Sequence, residues 1–332
     1  KDYEPILERQ IHTWLNYAAG IFHLGQRADN WIRISQDSRA KGFDLRHLGV
    51  IIHAGIHQEF GDIISKVKVV ISTDQVIVSN LFQAARQVYQ QRDQRLAGIT
   101  DESVEEFYTC TLCQSFASHH VCIVTPERSG LCGAYNWLDC KVSCNINPNG
   151  PNQPVSKGDI ISSHYGEWQG INKVVREKSS DRIQQMHAYS IMSYPQTSCG
   201  CFECIVAFLP EANGFVVVSR NYQGMTPCGM TFTTLASSIS GGVQTPGFAG
   251  ISRLYLLSKK FLRADGGIAR IVWLPRELKE SLEEKFKQRC LEEDLPDLMD
   301  TIADEQQATD IDSLMLFLQQ NKHPALEMEP LI

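Results

Sequence analysis

Long hydrophobic runs are absent from this sequence. No apolar stretch approaches the roughly 20 residues that a helix needs to cross a bilayer, and the N-terminus lacks the basic and apolar segments of a signal peptide. Positive charge is also in the minority, because 31 Lys and Arg face 38 Asp and Glu for a net charge of −7. The sequence therefore predicts a cytoplasmic protein with no membrane or nucleic-acid partner, in which any anionic ligand binds a local basic pocket.

Cysteine, by contrast, is abundant. The chain has 11 cysteines among 332 residues, and 43% of its residues are hydrophobic. A chain of this length is expected to form about two domains of roughly 100–200 residues, which bury cores without disulfides. In a cytosolic protein such cysteines more often indicate metal binding or catalysis. Because the first residue is Lys1 rather than Met, we expect a fragment or a processed product.

Hydrophobic periodicity predicts a small α/β domain over residues 1–99. After a first amphipathic helix, an alternating run over 31–35 and a β-branched run over 67–72 indicate strands. Thr73 or Asp74 suits the N-cap of a long helix. The wholly polar tail of that helix is typical of a connector between domains.

Residues 100–332 are predicted to form a mixed α+β domain. Apolar runs over 202–209 and 215–219 flank a short turn, which indicates a β-hairpin. Pro275 suits the first turn of a helix, and four apolar residues recur on one face of that helix. These four are Leu278, Leu282, Phe286 and Cys290. The predicted fold class is thus α/β and α+β, a smaller α/β domain followed by a larger α+β domain.

Six of the cysteines fall into two groups. The first four are separated by 3, 9 and 10 residues, and a Cys-Gly-Cys segment follows 67 residues later. They are Cys110, Cys113, Cys122 and Cys132, then Cys199 and Cys201. Four thiolates from one connected stretch are what a cubane iron–sulfur cluster requires. The alternatives are buried free thiols or a four-thiolate zinc site, although zinc usually takes two CxxC pairs and only the first pair has that spacing.

The Cys199-Gly200-Cys201 segment predicts a different kind of metal ligand. Two thiolates can close around a metal together with the amide nitrogens of Gly200 and Cys201, if the metal displaces the amide protons. Such a planar set suits Ni(II) or Cu(II). Glycine at the centre avoids a side chain that would obstruct the flattened chelate. The alternative is two strand cysteines that simply face the same side.

These motifs carry a resemblance to a known family. The order of the six cysteines resembles the catalytic subunit of CO dehydrogenase/acetyl-CoA synthase, the CO-methylating acetyl-CoA synthase family. The surrounding segments agree, and they are 110–117, 120–128, 130–133, 150–154, 197–203, 224–227, 245–248 and 265–273. The resemblance runs from about the first helix to the C-terminus. The large N-terminal domain of the bacterial members, which archaeal relatives lack, is expected to be missing.

The resemblance implies a nickel–iron–sulfur site, the A-cluster. The [4Fe-4S] cubane would be held by Cys110, Cys113, Cys122 and Cys132. By the same resemblance, the sulfur of Cys113 would also bind a proximal nickel together with Cys199 and Cys201. A distal nickel would take both sulfurs of the Cys-Gly-Cys segment and the amide nitrogens of Gly200 and Cys201. The resemblance places Phe116 over the open position of the proximal nickel, where an aromatic shapes an apolar alcove for CO or methyl. The alternative is that Phe116 is an ordinary core residue.

The resemblance also implies a reaction and its partners. CO, a methyl group from a methylated corrinoid iron–sulfur protein and CoA would form acetyl-CoA through methyl-nickel and acetyl-nickel intermediates, in the Wood–Ljungdahl pathway of anaerobic carbon fixation. CO dehydrogenase would supply the CO, and this contact is expected to need the missing N-terminal domain. The runner-up is an iron–sulfur electron-transfer module without organometallic chemistry. A zinc-structured binding scaffold is the third hypothesis.

CoA carries phosphates, so a net-acidic chain must offer it a local arginine cluster. Arg27 and Arg33, with Arg39 and Arg46 nearby, are predicted to bind CoA, and Trp31 is placed to stack on its adenine. The alternative is arginines on solvated faces.

The remaining cysteines are predicted to be packing residues. They are Cys140, Cys144, Cys204, Cys228 and Cys290, of which Cys204 is the rival ligand because it lies closest to the Cys-Gly-Cys segment. The glycine-rich loop at Gly241 is expected to let backbone pass close to the cluster. For His119 and His120, which lie between two predicted ligands, a surface position is favoured over one beside the ligands.

Overall fold

The computed structural model describes residues 35–60, 68–115 and 117–332. Within these residues the chain forms ten α-helices and nine strands. The helices are α1 Gln36–Ala40, α2 Leu45–Phe60, α3 Gln75–Gln94, α4 Trp137–Ile146, α5 Gln169–Lys178, α6 Phe232–Ile239, α7 Arg253–Leu256, α8 Arg276–Glu292, α9 Leu298–Thr301 and α10 Ile311–Gln320. The strands are β1 Glu106–Cys110, β2 Cys122–Val124, β3 Pro154–Ser156, β4 Ile160–Ser162, β5 Glu167–Trp168, β6 Cys204–Leu209, β7 Gly214–Ser219, β8 Phe248–Ile251 and β9 Ile271–Trp273. The fold is therefore mixed α and β, as predicted.

The described residues before position 100 form helices. Asp74 caps α3, as predicted, because its carboxylate accepts from two amides of the first turn. The strand predicted over 67–72 is wrong for residues 68–72, where Val70 and Ile71 are 69% and 41% exposed. A β-branched composition favours a strand only where a neighbouring strand and an apolar layer receive the side chains. The first predicted helix and almost all of the strand predicted over 31–35 lie outside the described residues.

Three sheets organise the rest of the chain. The largest has the order β8-β6-β7-β9, with β6 and β7 forming the predicted hairpin in which Leu209 pairs with Gly214. A three-stranded sheet has the order β2-β1-β3, and a two-stranded sheet pairs β4 with β5. Side chains of β6 alternate between two core clusters, with Ile205 in one and Val206 in the other. The cluster that holds Ile205 also holds the predicted cysteine ligands.

The amphipathic helix predicted after Pro275 is α8, and Pro275 is its N-cap. The four residues of its predicted apolar face are all buried, as expected for a helix that packs one stripe against a sheet. A short helix near the C-terminus, α10, begins with a capping box formed by Asp310 and Ser313. Within the described residues, no helix is both long and apolar enough to cross a membrane.

A buried ion pair joins the end of α3 to the α+β region. The Nη2 atom of Arg92 lies 2.7 Å from Oδ1 of Asp139, and both side chains are at most 5% exposed. Asp139 also completes a capping box with Asn136 at the start of α4. The ion pair therefore fixes the long helix against the region that carries the cysteines.

Candidate metal centre

Two short segments around β1 and β2 carry the first three cysteines. Cys110 ends β1 and lies opposite Cys122 at the start of β2 in the antiparallel register. Just beyond β1, the chain turns into a 3-10 helix over Leu112–Ser115, which carries Cys113. The strand pairing thus brings together cysteines that are 12 positions apart in sequence.

Cys132 and the Cys-Gly-Cys segment approach each other through a backbone contact. The amide of Glu203 donates to the carbonyl oxygen of Leu131 at 3.0 Å.

Gly200 has a φ of +110°, a conformation that side chains disfavour, and a Cβ at this position would lie 3.3 Å from Oγ of Ser240. The positive φ therefore favours glycine here, and the Ser240 side chain would have to shift slightly to admit a Cβ.

Three cysteine sulfurs converge. The Sγ atoms of Cys113, Cys199 and Cys201 lie within 4.8 Å of one another, and the Cys199 and Cys201 residues are only 4% and 5% exposed. The amide nitrogen of Cys201 faces the same point, because it lies 3.3 Å from the sulfur of Cys199. The structure thus places three thiols and one amide nitrogen around one small volume.

The thiols interact strongly with one another. Hydrogen bonds from Cys113 and Cys201 hold the pKa of Cys199 well below its usual value. Burial, together with the charges of Cys199 and Cys110, raises the pKa of Cys122. Burial and the charge of Cys110 raise the pKa of Cys132 to about 12. A bound cation would reverse the preference of Cys122 and Cys132 for the thiol form, because it stabilises thiolates directly.

The donor set fits the metals that the resemblance implies. Soft thiolates select nickel, copper, zinc or iron–sulfur clusters, while hard cations prefer oxygen ligands. The convergent trio of sulfurs suits a single metal ion. Cys110, Cys122 and Cys132 pack in the same core cluster as these three cysteines. Ligands of a cubane bind separate irons, so their sulfurs stand further apart than those around one ion.

His120 lies beside one of the predicted cysteine ligands. Its ring is fully buried, with Nε2 3.1 Å from the sulfur of Cys122 and Nδ1 2.9 Å from Oγ1 of Thr197. The surface position favoured for His120 is therefore wrong. His119 is half-buried, and its Nδ1 lies 2.9 Å from the carbonyl oxygen of Ser179. The location of His120 two residues before a ligand was the one signal for its contact.

The glycine-rich loop passes close to the ligand segments, as predicted. The amide of Gly242 donates to the carbonyl oxygen of Ser198 at 2.9 Å, next to the Cys-Gly-Cys segment. A Cβ on Gly242 would lie 2.7 Å from the backbone nitrogen of His120. Gly242 therefore lets one loop touch the segments on both sides of the site.

The rival ligand Cys204 lies in a different environment. It is fully buried on β6 and belongs to the second core cluster, whereas Cys199 and Cys201 belong to the first. Cys140 is also fully buried and accepts a hydrogen bond from Asn152 at 3.2 Å. Packing explains both residues.

Several predicted site residues lie outside the described part of the chain. They are Arg27, Trp31, Arg33 and Phe116. Of the other two arginines considered for CoA, Arg39 is exposed, and exposed Arg46 pairs with Asp44. The predicted CoA site therefore stays a prediction.

Comparisons with known proteins confirm the family that the sequence resembles. A family model for the C-terminal region of the ACS/CODH beta subunit matches residues 89–332, and one for the beta subunit of the CO dehydrogenase/acetyl-CoA synthase complex matches residues 1–78. The chain is 50% identical to the carbon monoxide dehydrogenase/acetyl-CoA synthase subunit alpha of Moorella thermoacetica, over 100% of this chain and 46% of that protein. It is 43% identical to the acetyl-CoA decarbonylase/synthase complex subunit beta of Methanopyrus kandleri, over 98% of this chain and 68% of that protein.

A solved structure of the C-terminal domain from the alpha subunit of acetyl-coenzyme A synthase is 54% identical, with a TM-score of 0.38, over 41% of this chain and 100% of that one. The chain spans about half the length of the Moorella relative, because the alignment covers 46% of that longer protein.

Proposed function

Because this chain belongs to the ACS/CODH beta-subunit family, whose members are enzyme subunits, we propose that it forms acetyl-CoA from CO, a methyl group and CoA. The observation that carries the proposal is the convergence of the Cys113, Cys199 and Cys201 sulfurs within 4.8 Å. Soft, buried thiolates at one point suit a low-valent metal better than acid–base chemistry. The proposed cofactors are a [4Fe-4S] cluster and two nickel ions.

The ligand assignment follows the two groups of cysteines. The cubane is proposed to bind to Cys110, Cys113, Cys122 and Cys132. The proximal nickel is proposed to bind to Cys113, Cys199 and Cys201, and the distal nickel to the sulfurs and amides of the 199–201 segment. Such a cluster would supply an electron-rich metal centre that can bond a methyl group and CO.

The protein's own residues prepare this environment. Cys199 and Cys201 are almost wholly buried within the core cluster, so that bulk water is excluded from their sulfurs. His120 lies within hydrogen-bonding distance of the Cys122 sulfur, and such contacts tune the potential of an iron–sulfur cluster. Phe116 is proposed to shape the apolar alcove for CO or methyl.

The proposed partners follow from the three substrates. A corrinoid iron–sulfur protein is proposed as the methyl donor on the resemblance alone. CO dehydrogenase is proposed as the CO source, because one matching family model describes the beta subunit of a CO dehydrogenase/acetyl-CoA synthase complex. CoA is proposed to bind to Arg27, Trp31 and Arg33 in a first domain of residues 1–99, ahead of a metal domain of residues 100–332. The proposed location is the cytoplasm, whose reducing conditions suit 11 cysteines that form no disulfide bond.

Metal analysis and acetyl transfer test the proposal together. Anaerobically purified protein is expected to hold about two nickel and about four iron atoms per chain, the irons being one cubane's complement. Cys201→Ser should lose nickel and acetyl-CoA synthesis while it retains the visible absorbance of the cubane. Cys204→Ser is the matched control, because Cys204 is equally buried but lies in the other core cluster.

Two outcomes would contradict the proposal. Protein with a full iron complement but no nickel would favour an electron-transfer module. Cys201→Ser protein that still makes acetyl-CoA would remove Cys201 from the site.

A further inference from the structure

Arg220 lies against the Cys-Gly-Cys segment. It follows β7 directly, and its backbone amide donates to the carbonyl oxygen of Glu203 at 2.9 Å, which extends the β6–β7 pairing by one residue. From there its Nη2 atom donates to the carbonyl oxygen of Gly200 and, at 2.9 Å, to that of Phe202. One guanidinium therefore donates hydrogen bonds to the carbonyl oxygens of the residues before and after Cys201.

The guanidinium is itself held in place by two aromatic rings. Its Cζ atom lies 5.6 Å from the centroid of the Phe202 ring and 5.1 Å from that of the Phe232 ring. Both phenylalanines are buried, so the cation lies in a partly desolvated position where its charge acts strongly on its neighbours. Burial lowers the pKa of Arg220, and the sulfurs of Cys201 and Cys199 oppose this effect. An arginine retains its proton under such conditions.

The carbonyl of Gly200 and the amide nitrogen of Cys201 belong to the same peptide group. If a metal displaces the proton of that amide, the negative charge left behind is shared between the nitrogen and the Gly200 oxygen, because the peptide group is conjugated. The Nη2 atom of Arg220 already donates to that oxygen. A hydrogen bond from a cation to a charged acceptor is markedly stronger than one to a neutral carbonyl.

The charge of the chelate also favours a cation close to the Cys-Gly-Cys segment. Binding nickel(II) through two thiolates and two deprotonated amides sends the amide protons to solvent, and this chelate, counted alone, then carries two excess negative charges. A buried excess charge is costly unless a cation stands beside it. The structure places Arg220 beside the chelating segment, where it can supply that cation.

We propose that Arg220 is a positioning residue for nickel binding at the Cys-Gly-Cys segment: it orients the Gly200–Cys201 peptide and stabilises the charge that forms there when the amide binds the metal. Because this role requires nickel in that segment, it rests on the proposed function. The same role is not expected for a metal that binds through the thiolates alone.

The test compares two metals on the full chain. Protein purified anaerobically with its iron retained is stripped of nickel, then titrated with nickel(II) or with zinc(II) against a competing chelator. Arg220→Gln should weaken nickel(II) binding by about 10- to 100-fold, the effect of losing a charge-assisted hydrogen bond. Zinc(II), which prefers tetrahedral thiolate sites and gains nothing from a planar amide set, should change less than about threefold.

Arg270→Gln is the matched control. Arg270 is 3% exposed and donates to two backbone carbonyls, those of Asn213 at 2.8 Å and Glu329 at 2.6 Å, without a cysteine among these contacts. It should lose a comparable amount of stability and keep its nickel affinity. Arg220→Lys keeps the charge but not the planar fork, so its nickel affinity should lie between those of wild type and Arg220→Gln.

Each result decides the matter. Unchanged nickel affinity in Arg220→Gln, an equal loss of nickel and zinc, or an equal effect of Arg270→Gln would overturn the proposal. If Arg220→Gln does not fold, Arg220→Lys decides, and wild-type nickel affinity there overturns the proposal. Wild-type protein that binds no nickel would contradict the proposed function itself, which separates that failure from a failure of Arg220.

Discussion

Replacing Gly242 by alanine should disturb the metal centre from a loop that supplies none of its predicted ligands. Gly242 has a φ of +80°, and an added Cβ would lie 2.7 Å from the backbone nitrogen of His120 and 3.1 Å from the carbonyl carbon of His119. These are backbone atoms, so they cannot rotate away as a flexible side chain would. The loop or the 119–120 segment must therefore move, and this segment leads directly into Cys122.

The neighbouring Gly241 provides the control for backbone strain. Its φ is +99°, and an added Cβ there would meet no atom within 4 Å. Gly241→Ala should cost about 1–2 kcal/mol in the free energy of unfolding, because alanine disfavours the left-handed region. Gly242→Ala carries the same strain plus about 1–3 kcal/mol of overpacking. We therefore expect a total cost of about 2–5 kcal/mol for Gly242→Ala.

Urea unfolding under anaerobic conditions measures the two stabilities, and metal analysis measures the consequence for the site. Gly242→Ala should have the lower unfolding midpoint and should lose part of its iron and nickel. Gly241→Ala should keep the metal content of the wild type. Equal midpoints and equal metal content in the two variants would refute the reasoning from close backbone contact.

Two further predictions concern groups away from the cysteines. Burial lowers the pKa of His323 to about 4. Its Nδ1 accepts a hydrogen bond from the amide of Ala325, and its Nε2 faces the carbonyl oxygen of Ile271. The stability that the neutral ring contributes is complete above its unfolded pKa of about 6.5 and should fall by about 3 kcal/mol as the pH drops to about 4. His323→Gln should remove this part of the pH dependence in urea unfolding, and an unchanged slope would contradict it. Arg92→Met leaves the carboxylate of Asp139 buried without its ion-pair partner and should cost about 3–5 kcal/mol. A double-mutant cycle with Asp139→Asn should show a smaller combined loss than the sum, and strict additivity would count against the coupling.

The sequence was informative wherever a local repeat determines which side of an element is buried. Spacing of four residues predicted the buried face of α8, and two apolar runs around a turn predicted the β6–β7 hairpin, both of which the structure confirms. A β-branched composition alone was insufficient over 68–72, because strand formation depends on a pairing partner that the local sequence does not specify.

The contacts around the cysteines depend on segments that are distant in sequence. Arg220 reaches the carbonyl of Gly200 from 20 positions away, and His120 meets Thr197 across 77 positions. No periodicity encodes such distances, since they result from the pairing of strands and the packing of loops. His120 also shows why residue type misleads here: histidine is often exposed, yet this ring is buried with hydrogen-bonding distances at both nitrogens.

The β6–β7 hairpin explains how one local element can organise a site made from remote pieces. The Cys-Gly-Cys segment leads into the first residue of β6, and Arg220 follows the last residue of β7, so the pairing of Cys204 with Ser219 brings both to the same end. Burial raises the pKa of Cys122, so its thiolate is costly without a neighbouring cation. If the proposed metals bind, they should offset that cost, and metal binding would then be coupled to the folding of the loops around the hairpin. Within the strands, the predicted metal ligands are limited to Cys110 and Cys122 at strand ends, so we expect loss of the proposed metals to affect the loops more than the sheets.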